Sequence, residues 1–235
     1  MSVGDRNRRL VAEALGTGFL VLTVVGSGIT ASRLSPSDVG LQLLENATAT
    51  AAALVGLILV LGPVSGAHLN PVVTLLDRLH GGIGTGDAVR YAVAQTAGGC
   101  LGAVTANAMF ERPAFELATL VRSSGALWLS EVVATVGLLL VIQGCVRSGR
   151  AAAVPYAVGL WIGGAYFSTS STSFANPAVT VARTLSDSFA GIAPRSVPAF
   201  VAAQLVGAAI AHALGRTLFP AADGAPVPAR TQEPA

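Results

Sequence analysis

The chain has 235 residues, of which 52% are hydrophobic and only 11% charged. A soluble domain carries about 25% charged residues, so a water-solvated globule is excluded. Fourteen arginines, no lysine and twelve acidic residues leave a net charge of +2. The arginines are scattered between apolar runs, which excludes a nucleic-acid-binding patch.

Crossing a hydrocarbon core takes roughly 20 apolar residues. Six stretches meet this and predict spans at 10–31, 41–61, 88–110, 126–146, 151–167 and 197–218. The fold class expected is an all-α membrane protein. The first span follows Arg6, Arg8 and Arg9 and superficially resembles a signal peptide. It is too long for a signal core and lacks a clean small-x-small site, so it reads as a retained span. Cys100 and Cys145 both lie inside apolar runs, so neither a disulfide framework nor a zinc site is expected. Gly81-Gly82-Ile83-Gly84-Thr85-Gly86 lacks a lysine and a preceding strand, and reads as a connecting loop. With the N-terminus inside, nine arginines fall on the cytoplasmic side and five outside, which predicts both termini cytoplasmic in the cell's inner membrane.

The two halves of the chain repeat each other. Glu13 in the first span matches Glu131 in the fourth, and Gln95 in the third matches Gln204 in the sixth. Asn70-Pro71-Val72-Val73-Thr74 follows the second span, and Asn176-Pro177-Ala178-Val179-Thr180 follows the fifth. Three spans per half invert the second copy, which is a transport architecture with its site near the midplane. The expected organisation is an N-terminus at 1–9, a first repeat at 10–112, a connection at 113–125, a second repeat at 126–219 and a disordered tail at 220–235.

Each Asn-Pro is a helix start, because Asn is a favoured N-cap and Pro suits the first turn. Helices over 71–79 and 177–185 would each be about 14 Å long, half of a ~30 Å core. Entering from opposite sides, they would bring Asn70 and Asn176 together at the centre. Their positive ends disfavour cations there. The stretches 62–69 and 168–175 are expected to be irregular, which is tolerable at membrane depth only where they line water or are buried in protein. One Asn-Pro alone is commonly a turn; two copies in matching halves are not.

These paired motifs, with Ser65-Gly66-Ala67-His68-Leu69 before the first, resemble the aquaporin family, the major intrinsic proteins. The resemblance covers Glu13 to about residue 218. It implies a right-handed bundle of six helices and two half-helices, a pore in each protomer, a homotetramer in membrane lipid, and a passive channel for small neutral solutes. No enzyme activity, catalytic residue, cofactor or metal is expected. Counted along the family pattern without gaps, the outer constriction would be Thr50, Gly164, Ser173 and Val179. Water channels of the family carry a bulky aromatic, a His and an Arg at three of those positions. The resemblance therefore implies a wide, uncharged ring suited to glycerol-like polyols or undissociated metalloid hydroxides such as arsenous acid, with some water. An inverted-repeat secondary transporter, a more water-selective aquaporin and a non-conducting scaffold are the alternatives.

Glu13 and Glu131 have two readings. They are either proton-coupling groups or structural acceptors for orphan N–H groups, and the symmetry favours the second. His68 is a candidate pore-lining donor, while His80 and His212 read as helix-end residues. Arg183, one turn beyond Val179, would either lean back into the pore or pair with Asp187; the ion pair is the favoured expectation. Gly98, Gly99, Gly102, Gly207 and Ala211 predict close helix contacts.

Overall fold

The computed structural model describes residues 2–219; the expected tail at 220–235 lies outside them. The described residues form α1 (Val3–Leu34), α2 (Val39–Ser65), α3 (Pro71–Leu79), α4 (Thr85–Met109), α5 (Gly125–Arg147), α6 (Val154–Ser168), α7 (Pro177–Ala182) and α8 (Val197–Leu218). No strand occurs among them. Four segments, Val3–Leu34, Val39–Ser65, Gly125–Arg147 and Pro194–Leu218, are each long and apolar enough to cross a membrane unaided. The other two long elements are less self-sufficient. Arg90, Gln95 and Asn107 interrupt α4, and α6 has only 15 residues after a 3₁₀ turn at Ala151–Ala153.

Two helix ends differ from expectation. The first helix starts at Val3, so most of the expected N-terminal segment 1–9 is helical. Ser2 caps it, its Oγ accepting the Asp5 N–H at 3.1 Å, and capping of this kind draws a helix outward from its apolar core. The second helix continues through Pro63 to Ser65, so the irregular stretch is only Gly66–Leu69 rather than 62–69. Gly66, at φ 92°, ends it in the left-handed conformation that a C-terminal glycine supplies without strain.

The repeat is visible in the packing. In the first half α1 lies against α4 and α2; in the second α5 lies against α8 and α6. The half-helices α3 and α7 both wedge between α4 and α8 and touch each other. Glycines permit the close crossings. A Cβ on Gly98 would run into the Ala14 carbonyl oxygen, and one on Gly102 into that of Gly18. A Cβ on Gly207 would come within 2.8 Å of the Val132 oxygen. Removing side chains here lets backbones approach.

The connection between the halves is not a free tether. Ala118 N donates to Thr184 O at 2.9 Å, and Ala193 N to Leu120 O at 2.7 Å. The segment thereby lies against the loop that follows α7, at the end of the molecule away from the N-terminus. That end is the far mouth.

Candidate functional site: a cavity between two half-loops

Each half-helix is capped as its sequence predicts. Asn70 Oδ1 accepts the Val72 N–H at 3.0 Å. Asn176 Oδ1 accepts the N–H groups of Ala178 and Val179 at 3.0 and 3.3 Å. The amide nitrogens reach across the repeat. Asn70 Nδ2 donates to Ala175 O at 2.7 Å, and Asn176 Nδ2 to Leu69 O at 2.8 Å. Each amide carries two hydrogens, so one remains on each for a solute. Pro71 and Pro177 occupy the first helical positions. Val72 and Ala178 are fully buried behind the Asn pair.

The half-loops before the Asn residues are strained in the same way. Positive φ recurs at Gly66, Ala67 and Leu69, and again at Thr172, Ser173 and Ala175. Such backbone persists only when its surroundings over-determine it, and here a buried carboxylate does so in each half. Glu13 accepts from Ser65 Oγ (2.6 Å), His68 N (2.9 Å), Leu69 N (2.7 Å) and Gln95 Nε2 (2.7 Å). Glu131 accepts from Phe174 N (3.0 Å), Ala175 N (2.9 Å) and Gln204 Nε2 (2.6 Å). The same glutamines also bond Thr74 and Thr180 on the half-helices, at 3.0 and 2.9 Å. Both carboxylates are fully buried and neither lines the cavity.

That cavity has a volume of about 600 Å³ and runs between the halves. His80 and Arg147 border one end, Asn70 and Asn176 the middle, and Val179 and Arg183 the far end. Thr50, Ser173, Val179 and His68 line it, and so does Arg183, for which the ion pair with Asp187 was the favoured expectation. His68 Nδ1 lies 3.1 Å from Thr74 Oγ1, and its Nε2 lies 3.7 Å from Asp77.

Gly164 does not line it. The glycine faces outward, while Ile162 and Tyr166 on the opposite face of α6 border the cavity. Two residues along a helix turn about 200°, so a count wrong by two moves a site to the other face. Tyr166 takes the place instead, its hydroxyl 3.1 Å from Thr50 Oγ1. A bulky aromatic ten residues before Asn176 was the available signal.

The expected Arg183–Asp187 pair is also absent. The α-helix ends at Ala182 and tightens into a 3₁₀ turn at Arg183–Leu185, so residues four apart no longer face each other. Asp187 instead accepts from Thr119 N at 2.8 Å. Arg183, only 2% exposed, donates through Nε to Ala190 O and lays its guanidinium over Phe174, Cζ 3.4 Å from the ring centroid. The ring around Val179 therefore has a fixed charge beside it. The Ser173 hydroxyl, 4% exposed on the cavity wall, has no hydrogen-bond partner among the described residues.

His212 lies inside α8 rather than at its end, its ring 5.2 Å from that of His80, the C-cap of α3. Burial, then Arg147 and His212, hold the His80 pKa below its ordinary 6.5, against an opposing pull from Asp77.

Inverted repeats, two capped half-helices meeting amide to amide and a cavity passing between them define a membrane protein of the aquaporin fold. Comparison with known proteins agrees. Residues 2–173 match the family described as Major intrinsic protein. The chain is 49% identical over 215 residues to "Aquaglyceroporin AqpS" of Rhizobium meliloti (strain 1021), covering 92% of this chain and 91% of that one. It is 30% identical over 230 residues to "Probable aquaporin AqpM" of Archaeoglobus fulgidus, covering 87% and 94%. The solved aquaglyceroporin of Plasmodium falciparum superposes with a TM-score of 0.72 at 23% identity, covering 92% and 98%, and shares the fold. The chain belongs to the major intrinsic protein family.

Proposed function

We propose that the protein is a passive channel for small neutral hydroxylated solutes, glycerol-like polyols and undissociated metalloid hydroxides such as arsenous acid, with some water. The observation that carries this reading is the centre of the cavity. It offers two spare amide hydrogens and no ionised side chain, at the meeting point of two positive helix ends. A hydroxylated solute exchanges water for those donors, whereas a cation meets the wrong sign of charge. A coupled transporter is disfavoured because Glu13 and Glu131 are taken up by the half-loops and do not border this cavity.

At the far mouth the filter on this reading is Thr50, Tyr166, Ser173, Val179 and Arg183. Val179 leaves room where an arginine would stand, and Arg183 supplies a guanidinium from one turn further out. Both termini lie in the cytoplasm of the inner-membrane protein, the far mouth opens outside, and four protomers assemble in the bilayer.

The test is stopped-flow light scattering on proteoliposomes. Glycerol and arsenous acid should enter downhill without an ion gradient. Val179→Arg should slow both by about tenfold, or about 1.4 kcal/mol of barrier, and slow water much less. Equal loss of all three fluxes, or no loss, would overturn the wide-filter reading.

A further inference from the structure

At the far mouth a second cavity of about 280 Å³ opens beside the first, and Arg183 borders both. Arg122, from the connection between the halves, forms another part of its wall. Both guanidiniums rest on the same ring, Phe174, with Cζ atoms 3.4 and 5.2 Å from its centroid. Their protein partners are all neutral. Arg122 Nε donates to Gly191 O at 2.9 Å and its Nη2 to Phe189 O at 3.4 Å, while Arg183 Nε donates to Ala190 O. Among the described residues neither arginine makes an ion pair, and no carboxylate borders this cavity. Glu131 acts on both from a distance, one negative charge against two positive ones, while its oxygens accept from Phe174, Ala175 and Gln204 rather than from either arginine.

Two like charges gathered on one ring, one of them almost fully buried, are costly without a counter-charge. Glu131 offsets only part of that charge and touches neither arginine, and among the described residues the Nη groups of Arg183 have no protein acceptor. We infer that this cavity binds a small carboxylate anion between Arg122 and Arg183. The guanidinium fork matches a carboxylate in shape and charge. Leu43 and Leu120 give the cavity an apolar wall for a short aliphatic chain, which favours an organic acid anion over a bare inorganic ion. Because Arg183 also borders the main cavity, the bound anion crowds the entrance used by neutral solutes.

Propionate and its neutral isostere propionamide separate charge from shape. Saturation-transfer NMR is run on the purified full chain in detergent at pH 7.5, in chloride-free buffer. Propionate should bind, added chloride should weaken it, and propionamide should give no signal. Arg122→Gln and Arg183→Gln should each weaken propionate by about tenfold, the value of a charge-assisted hydrogen bond. Arg122→Lys, which keeps the charge, should weaken it less. No propionate binding to the wild type, equal binding of propionamide, or undiminished binding in both Gln variants would overturn the inference. The propionate–propionamide contrast on wild type alone decides the matter if a variant does not fold. This site rests on the binding measurement, whereas the channel reading stands or falls on glycerol entry into wild-type vesicles without propionate.

Discussion

The half-loops Ser65–Asn70 and Ser171–Asn176 share one backbone and differ in what they hold. Both carry the same pattern of left-handed residues, both hang from a buried glutamate, and both end in an Asn cap. The side chain two before the Asn is His68 in one and Phe174 in the other. Seven residues after the Asn comes Asp77 in one and Arg183 in the other. His68 faces Asp77 at 3.7 Å, and Phe174 carries Arg183. One architecture thus puts a carboxylate on the half-helix at one mouth and a guanidinium at the matching position of the other. The backbone is fixed by the clamp and the caps, which leaves the two flanking positions free to give each end its own chemistry.

The largest effects come from breaking the clamps. Glu13 serves four donors and Glu131 three. Each donor left buried without a partner costs about 1–3 kcal/mol. Glu13→Ala should therefore lower the melting temperature in detergent more than Glu131→Ala, and both severely. The reverse order would show that donor count does not set the cost.

Intermediate effects come from the helix crossings that frame each half-loop. Gly98→Ala forces a methyl group against the immobile Ala14 carbonyl, whereas Gly207→Ala meets Val132 O and Thr135 at 2.8 Å. Overpacking costs about 1–3 kcal/mol. Thermal denaturation should place Gly98→Ala below Gly207→Ala, and both below wild type.

The smallest effect is at the mouth beside His80. His80 has its pKa held below 6.5, mainly by burial and Arg147, so it is neutral at pH 7 and above. Glycerol flux should be the same at pH 7 and pH 8, and any response should begin only on acidification as His80 gains charge. Asp77 is the group that favours that protonation. Asp77→Asn should move the response to still lower pH and change the neutral flux by less than about twofold, since partly exposed charges act weakly. A response moved to higher pH would refute this account of the mouth.

Much of this was legible in the sequence because the motifs act locally. Pro71–Leu79 begins and ends where its Asn cap, Pro and length dictate, and the paired Glu and Gln residues announce their repeat before any contact is known. What escaped depends on register and on tertiary partners. Gly164 follows only from a gapless count across the turn between α6 and Asn176, where spacing is free to vary, and Tyr166 borders the cavity instead. The i,i+4 rule offered Asp187 to Arg183, but it presumes a helix that ends at Ala182. Arg122 gave no sequence signal, since only the folding of the connection onto Thr184–Ala193 brings it to Phe174.

The crossed amide bonds of Asn70 and Asn176 also constrain how the chain is made. Each joins residues more than a hundred positions apart, with separations of 105 and 107. Synthesis proceeds from the N-terminus, so the first half-helix emerges with its amide lacking the acceptor it will finally use. Residue 175 must be translated and delivered from the opposite face of the bilayer before the bond can close. Contacts of such separation carry a heavy loop-closure cost and form late. Assembly therefore ends at the middle of the pore: the six long helices can insert in order, but the passage between them is sealed last and by both halves at once.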